Sequence, residues 1–282
     1  MDELMPDNIH VSDPVPLSDA TLAGLPTGVR RPSYDRDALS PGIVHIGLGN
    51  FRRAHQAWYL HRLLAHDRAL DWAIIGAGVR PKDVALREKL LAQDCLTTLI
   101  ELDTSETSAE VTGSMIDYVA IEDGNAPLIS AMSAPAIRIV ALTVTEGGYY
   151  IDSTSGGLDE AHPDIVYDVA NPGTPKPAFG AMVAALGQRR AAGLQPFTGL
   201  SCDNLQGNGD ILRRTIVALA ELTDPELAAW IDKCGAFPNS MVDCIVPATG
   251  PQEFELVRKI GIDDAAPVTH ESYRQCVIED KF

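Results

Sequence analysis

Short apolar runs alternate with helical stretches along most of this chain, and that alternation constrains its fold more than any other feature. The first run, residues 43–46, contains β-branched residues and ends at a glycine, which is typical of a buried strand. Apolar strands that alternate with helices indicate a mostly parallel sheet covered on both faces. We therefore predict an α/β fold with a Rossmann-type doubly wound, mostly parallel sheet. Further strands are expected at 72–76, 97–102, 111–121, 137–143 and 197–201, and helices at 53–66, 82–93, 126–132, 178–192, 210–222, 225–234 and 252–260.

A glycine turn, residues 47–52, follows the first predicted strand and precedes the first predicted helix, where a dinucleotide fingerprint is found. Gly47 permits the tight turn, and Gly49 lets backbone N–H groups approach a pyrophosphate. Arg52 occupies the place of the usual third glycine, so a plain strand-to-helix turn is the alternative. Either Arg52 or Arg53 can offer its charge to the phosphates. The candidate cofactor-binding residues of the turn are Gly47, Gly49, Asn50, Phe51 and Arg52.

The segment after the second predicted strand bears on the choice of cofactor. Asp83 can accept a hydrogen bond from an adenosine ribose hydroxyl, which favours NAD. Arg80 and Lys82 can hold a 2′-phosphate, which favours NADP. The same residues can also begin a helix on a solvated surface, with Pro81 near its first position. These residues alone leave the cofactor open.

Three further segments place polar groups where a ligand is expected. Thr145 and Glu146 follow the strand predicted at 137–143, and ligands of open parallel sheets bind beyond the carboxyl ends of the strands. Asn204 lies in an amide-rich segment that suits either a turn or a site donating hydrogen bonds to a sugar oxygen. Asp243 puts one carboxylate into an otherwise apolar stretch, where an unpaired charge is costly.

Composition and charge argue against several classes of protein. The net charge of −17, with scattered Lys and Arg, makes nucleic acid and anionic membranes unexpected partners. The five cysteines include no CxxC pair, so neither a disulfide framework nor a zinc knuckle is indicated. The histidines near the first turn show no HxxxH or HExxH spacing, and His61 fits a buried, satisfied side chain better than a metal ligand. Without a signal sequence or a long apolar stretch, we expect a soluble cytoplasmic protein with no metal.

Taken together, these segments resemble the polyol-specific long-chain dehydrogenases, the family of mannitol 2-dehydrogenase and fructuronate reductase. Each motif by itself is weak, and the specificity lies in the ordered set with the family's spacing. The mannitol-like branch is the nearer one, and the uronate branch is the alternative. The segments that carry the resemblance are 47–55, 145–149, 201–204 with 207–209, 237–243 and 277–280.

The resemblance implies a metal-independent, NAD-dependent enzyme that moves hydride between the nicotinamide and a polyol or ketose, such as mannitol or fructose. It implies that Asn204 helps to form an oxyanion hole and that Asp243 orients a general acid–base lysine. The family places that lysine in a Lys-x4-Asn-x2-His pattern, which does not occur in this sequence. Cys244 stands where the family usually has arginine, which puts the charge balance near Asp243 in doubt.

The family's architecture is a Rossmann-type domain followed by a mostly helical domain. We therefore predict an N-terminal arm at residues 1–40 and one Rossmann-type dinucleotide-binding domain at residues 41–282, with the helical catalytic domain absent from this chain. The expected partner is a small polyol or ketose, and the expected assembly is a monomer or weak homo-oligomer. A fructuronate reductase and a catalytically silent dinucleotide-binding module are the alternative functions.

Overall fold

The structure is a computed structural model that describes residues 13–78, 80–102 and 107–282. Its strands are β1 (Val15–Pro16), β2 (Pro41–Ile46), β3 (Ala73–Ala77), β4 (Thr97–Leu102), β5 (Thr107–Thr112), β6 (Met115–Tyr118), β7 (Ile139–Leu142), β8 (Thr198–Ser201), β9 (Ser240–Asp243), β10 (Ile262–Asp263), β11 (Val268–Glu271) and β12 (Gln275–Ile278). Its α-helices are α1 (Asn50–Ala54), α2 (Gln56–Leu64), α3 (Val84–Leu91), α4 (Ala126–Ser133), α5 (Pro163–Ala170), α6 (Ala178–Ala191), α7 (Asn208–Glu221), α8 (Pro225–Cys234) and α9 (Pro251–Lys259).

The central sheet is parallel, with the strand order β6-β3-β2-β7-β8. The chain runs outward from β2 through β3 to β6, and then returns to the other side of β2 for β7 and β8. The strand order therefore reverses between β2 and β7. Ligands of open α/β sheets bind beyond the carboxyl ends of the strands at such a point. The predicted Rossmann-type parallel sheet is confirmed.

Helices cover both faces of this sheet. Val44 and Ile46 of β2 belong to a core that α4, α6, α7 and α8 cover, with Phe179 among its fully buried side chains. On the other face, Leu64 of α2 and Leu90 of α3 pack in a second core around Ile74. A strand buried on both sides has few solvent-facing positions, which is why β2, β3 and β7 are largely apolar.

A second sheet, with the order β11-β4-β5, lies outside the central one. The predicted strand at 97–102 is confirmed as β4, which pairs with β5 in antiparallel and with β11 in parallel orientation. The core on this sheet contains Leu96, Ile100 and Val111, and it also takes in Val257 of α9. The sequence predicts no strand at β11, because its four residues include Thr, His and Glu and show no strand-like apolar run.

Residues 13–40 pack against the domain, first in the core of the second sheet and then, at Tyr34, in the core around Ile74. β1 pairs in parallel with β10, and Leu17 and Leu25 are buried in the core of the second sheet. Arg36 donates hydrogen bonds to the carbonyl oxygens of Gly113 and Met115. Residues 1–12 of the predicted arm lie outside the described part of the chain, and the domain boundary at residue 40 stays a prediction.

Three predicted elements differ from the structure. The helix expected at 53–66 is two helices, α1 and α2, that meet at His55, where φ is −110° and ψ is −91°. The strand expected at 111–121 is two strands, β5 and β6, which lie in different sheets. Helix α5 lies in a segment for which the sequence predicts no helix. Local periodicity does not show the break between α1 and α2. A tertiary contact accompanies that break, because the His55 ring lies 2.7 Å from the carbonyl oxygen of Gln275.

No helix in the described ranges is both long enough and apolar enough to cross a bilayer.

We expect Leu17→Ala to lower the free energy of unfolding by about 2–4 kcal/mol, because it removes a buried side chain from the second-sheet core. Leu17 is 3% exposed, whereas Leu63 on α2 is 49% exposed. The matched variant Leu63→Ala is expected to change stability by less than about 0.5 kcal/mol. Urea unfolding followed by circular dichroism measures both values. Equal losses in the two variants would contradict the packing of residues 13–40 as part of the domain.

Candidate functional site

The turns after β2 and β7 meet where the strand order of the central sheet reverses. Gly47 has a φ of +80°, and a Cβ at this position would overlap the carbonyl oxygen of Thr143. Thr143 Oγ1 donates to the Gly47 carbonyl oxygen at 2.9 Å, and His45 Nε2 lies 3.0 Å from the same hydroxyl. Burial lowers the pKa of His45 well below its usual value, so its ring stays neutral. Position 47 therefore requires glycine for two reasons, the backbone conformation and the lack of space.

Gly49 and Asn50 begin helix α1 and have different surroundings. A Cβ on Gly49 would meet no atom within 4 Å, so the space beside this backbone is open. Asn50 Nδ2 donates to the carbonyl oxygen of Pro247 at 3.0 Å and to Thr249 Oγ1 at 2.9 Å, and its Oδ1 accepts from Arg53 at 2.7 Å. The open space fits a pyrophosphate held by backbone N–H groups. The side chain of Asn50, in contrast, ties the turn to the segment before α9.

Both arginines of the turn are buried. Arg53 donates to the carbonyl oxygen of Ala266 and to Asn50, and burial lowers its pKa to about 10. Its charge therefore holds the turn in place, and the suggestion that Arg53 reaches the phosphates is not supported. Arg52 is 3% exposed, and its Nε and Nη1 atoms have no hydrogen-bond partner among the described residues. Burial also lowers the pKa of Arg52.

Asp83 lies just beyond the carboxyl end of β3. Its Oδ2 accepts from the backbone N–H of Arg80 at 3.0 Å. Its side chain packs over Gly78, because a Cβ on that glycine would lie 2.8 Å from both Asp83 Oδ2 and the Tyr118 hydroxyl. Arg80 and Lys82 are exposed. The carboxylate thus lies against the end of β3, whereas Arg80 Nη2 lies 3.5 Å from the carbonyl oxygen of Val144 and Lys82 is exposed.

Thr145 and Glu146 lie just beyond the carboxyl end of β7, and both are exposed. Thr145 has a φ of +68°, which is rare for a residue with a branched Cβ. Its backbone N–H donates to Asp203 Oδ1 at 2.9 Å, and that of Val144 donates to Asp203 Oδ2 at 3.1 Å. The turn after β8 therefore supports the turn after β7.

A cleft of about 420 Å³ opens beside these turns. Asn204 and Asp243, the two predicted catalytic residues, line this cleft together, and both are exposed. Phe51, from the glycine turn, also lines it and stacks on His55 with ring centroids 4.9 Å apart. The structure thus brings together side chains from three separate parts of the sequence. The remaining lining residues are Thr143, Cys202, Asp203, Met241 and Val242.

The two cysteines near the predicted catalytic residues are protonated at neutral pH. Burial raises the pKa of Cys202 to about 11, and Gln56 Nε2 lies 3.0 Å from its sulfur. Burial likewise raises the pKa of Cys244 to about 11, and the guanidinium of Arg274 opposes that shift. The guanidinium of Arg274 therefore supplies a positive charge near position 244, where the family resemblance implies an arginine.

Thr143 and Asp203 were not assigned a role from the sequence, although both line the cleft. Thr143 joins the two turns, and Asp203 accepts hydrogen bonds from the turn after β7. The signal for Asp203 was present in the sequence, because a carboxylate directly after a buried strand needs hydrogen-bond donors. No sequence pattern shows that those donors belong to a turn about 60 residues earlier.

Histidines do not form a metal site in the part of the chain that the structure describes, where no three His, Cys, Asp or Glu side chains are grouped to hold a metal ion. His61 Nδ1 lies 2.7 Å from the Tyr34 hydroxyl, and His61 Nε2 lies 3.6 Å from Glu110. The interpretation of His61 as a buried, satisfied side chain is confirmed. The metal independence of the site stays a prediction.

A parallel sheet whose strand order reverses beside a glycine turn places this protein in the class of Rossmann-type domains. Within that class, residues 41–282 match the family model described as the mannitol dehydrogenase Rossmann domain. The chain belongs to the mannitol dehydrogenase family.

Individual relatives agree with this assignment. The chain is 59% identical over 254 residues to a mannitol 2-dehydrogenase of Cereibacter sphaeroides. The matched region covers 90% of this chain and 53% of the relative. It is 42% identical over 269 residues to a polyol:NADP oxidoreductase of Gluconobacter oxydans, covering 93% of this chain and 54% of the relative. The ternary complex of Pseudomonas fluorescens mannitol 2-dehydrogenase with NAD and D-mannitol superposes with a TM-score of 0.92 at 45% identity, covering 95% of this chain and 55% of that one. The chain thus spans about half the length of these relatives.

We expect Gly47→Ala to lower the free energy of unfolding by at least about 2 kcal/mol, because the new Cβ is strained by the positive φ and overlaps Thr143. The matched variant Gly49→Ala has a φ of −123° and open space, so a loss of about 1 kcal/mol or less is expected. Chemical unfolding of the two variants compares them directly. A Gly47→Ala protein as stable as Gly49→Ala would contradict the described turn.

Proposed function

We propose that this chain is the cofactor-binding part of an NAD-dependent polyol oxidoreductase of the mannitol 2-dehydrogenase type. The observation that carries the proposal is the position of the cleft with Asn204 and Asp243, which adjoins the glycine turn at the switch point of the sheet. The reaction is hydride transfer between the nicotinamide and a polyol or ketose, mannitol and fructose being the proposed pair. The family membership and the NAD and D-mannitol named for the Pseudomonas fluorescens structure support this choice.

The proposed arrangement of the cofactor follows from the two halves of the sheet. A dinucleotide lies across the switch point, with one nucleotide on each half. Asp83, beyond β3, is proposed to accept from the adenosine ribose, and the open backbone at Gly49 is proposed to receive the pyrophosphate. Thr145 and Glu146, with the turns after β7 and β8, would then hold the nicotinamide half. When bound, the cofactor would supply the hydride acceptor for alcohol oxidation as NAD and the hydride donor for ketone reduction as NADH.

Asn204 and Asp243 are proposed to act on the substrate side of the cleft. An amide N–H of Asn204 is suited to donate to the substrate oxygen as it becomes an alkoxide, which stabilises that charge. Asp243 is proposed to orient the lysine that the family resemblance implies as general acid–base. The Lys-x4-Asn-x2-His pattern of that lysine is not found in these 282 residues. The full reaction is therefore proposed for a protein that also contains this lysine.

A titration of the chain with both reduced cofactors is expected to show NADH binding at least tenfold tighter than NADPH, about 1.4 kcal/mol. The reason is that a 2′-phosphate would approach the carboxylate of Asp83, which lies against the strand end, while Arg80 and Lys82 are exposed to solvent. Isothermal titration calorimetry gives both constants.

The variant Asp83→Asn is expected to reduce this preference, because it removes the charge that repels the phosphate. The matched control is Asp71→Asn, since Asp71 precedes β3 at the opposite end of the strand and pairs with Arg138. Tighter binding of NADPH than NADH by the unaltered chain would contradict the choice of NAD. An unchanged preference in Asp83→Asn would contradict the role of Asp83.

The purified 282-residue chain is expected to bind NADH but to show no mannitol oxidation or fructose reduction above background. Loss of a positioned general acid–base costs about 10²- to 10⁴-fold in rate, and loss of substrate orientation adds to it. The measurement is the change of NADH absorbance at high enzyme concentration, with a full-length mannitol 2-dehydrogenase as the positive control. Turnover by the verified chain would show that the proton-transfer residue lies within these residues.

A further inference from the structure

The turn after β7 has a backbone that its own sequence does not favour. Thr145 has φ and ψ of +68° and 163°, and it is a non-glycine residue with a branched Cβ. Such a conformation persists only where the surrounding structure holds it. The residues that this turn presents, Thr145 and Glu146, are both exposed at the cleft side of the sheet. Something outside the turn must therefore keep them in place.

The carboxylate of Asp203 supplies that support. Its Oδ1 accepts from the backbone N–H of Thr145 at 2.9 Å. Its Oδ2 accepts from the backbone N–H of Val144 at 3.1 Å and from the hydroxyl of Tyr149 at 2.8 Å. All three donors come from the turn after β7, whereas Asp203 follows β8. Hydrogen bonds to an ionised acceptor are stronger than neutral ones, so one carboxylate holds both ends of the turn.

The phenol of Tyr149 is a fixed donor in this arrangement. Its ring is fully buried and packs on Phe179, with ring centroids 5.2 Å apart. Its hydroxyl also lies 2.5 Å from Ser201 Oγ. Burial, with the charge of Asp203 adding to it, raises the pKa of Tyr149, so the hydroxyl stays protonated and continues to donate.

The backbone of Asp203 is held as well. Its carbonyl oxygen accepts from Asn208 Nδ2 at 3.0 Å and from the backbone N–H of Leu205 at 2.8 Å. Asn204 lies between Asp203 and Leu205 in the sequence, and it lines the cleft together with Asp203. The side chain of Asp203 therefore fixes the turn after β7, while its backbone is held within the turn after β8 that carries Asn204.

We propose that Asp203 is a positioning residue for the nicotinamide half of the dinucleotide site, acting through the turn that carries Thr145 and Glu146. This inference rests on the proposed dinucleotide-binding function. It separates the two halves of the cofactor, because the adenosine half is assigned to Asp83 and the glycine turn, whereas the hydrogen bonds that the Asp203 side chain accepts among the described residues come from the turn after β7.

The test measures the binding of NADH and of ADP-ribose, which lacks the nicotinamide, by isothermal titration calorimetry. In Asp203→Asn, an amide group replaces one accepting oxygen and meets N–H or O–H donors. We expect the Kd for NADH to rise about tenfold, while the Kd for ADP-ribose stays within about twofold of that of the unaltered chain. A loss of stability alone would not change the ratio of the two constants.

The matched control is Asp264→Asn. Asp264 also accepts three hydrogen bonds, from the backbone N–H groups of Thr98 and Ala266 and from Gln93 Nε2, but it lies at the second sheet. This variant is expected to lower the melting temperature and to leave the ratio of the two Kd values unchanged. Equal ratios in Asp203→Asn, Asp264→Asn and the unaltered chain would overturn the proposal.

A second variant keeps the test decisive if Asp203→Asn does not fold. Tyr149→Phe removes one of the three donors to Asp203 and keeps the buried ring, and Tyr150→Phe, which removes a hydroxyl bonded to Asp164, is its control. We expect about a threefold weaker binding of NADH in Tyr149→Phe only, with ADP-ribose unaffected. An unchanged NADH constant would overturn the positioning role. If the unaltered chain binds neither ligand, the proposed function itself is wrong, and the inference falls with it.

Discussion

The contact between Gly47 and Thr143 is the constraint on which the candidate site depends. At this point the backbone after β2 and the backbone after β7 approach so closely that no side chain fits at position 47. The Gly47 carbonyl oxygen accepts from the Thr143 hydroxyl, and the Gly47 N–H donates to the carbonyl oxygen of Ala77 at the end of β3. These bonds hold the carboxyl ends of β2, β3 and β7 next to one another. Any ligand that lies across them meets a surface of fixed shape.

Groups far away in the sequence hold the glycine turn in that position. Asn50 bonds to the segment at Pro247 and Thr249, and Arg53 donates to the carbonyl oxygen of Ala266. The break at His55 has the same origin, because its ring contacts the carbonyl oxygen of Gln275. A buried guanidinium without donated hydrogen bonds would be costly, so Arg53 ties the second sheet to the start of α1. The last third of the domain therefore supports a motif near its beginning.

Carboxylates perform a related task on the other side of the site. Asp203 joins the turns after β7 and β8, and Asp264 joins β4 to the segment before β11. In both cases one side chain accepts several N–H groups that have no partner within their own turn, which satisfies them without a further strand. The acidic composition of the chain is thus more than surface charge, because some of these carboxylates hold the irregular backbone around the sheet.

Much of this fold could be predicted from the sequence, because burial leaves a local pattern. The inner strands β2, β3 and β7 are largely apolar on both faces, and the turn at Gly47 and Gly49 follows the first of them, so the sheet and the approximate place of the site were predictable. The family was also predictable from the order of its short motifs. Asn204 and Asp243 could be named as candidates, and the structure places them in one cleft.

Only the tertiary structure decided which distant groups meet. The break at His55, the separation of β5 from β6, the pairing of β11 with β4 and the donors to Asp203 all depend on contacts between residues far apart in the chain. Periodicity records which side of an element is buried, but it does not record the partner that buries it. A hydrogen bond across the sheet leaves no regular spacing in the sequence. For that reason the sequence determined the class of fold and the candidate side chains, and the packing determined how they are held.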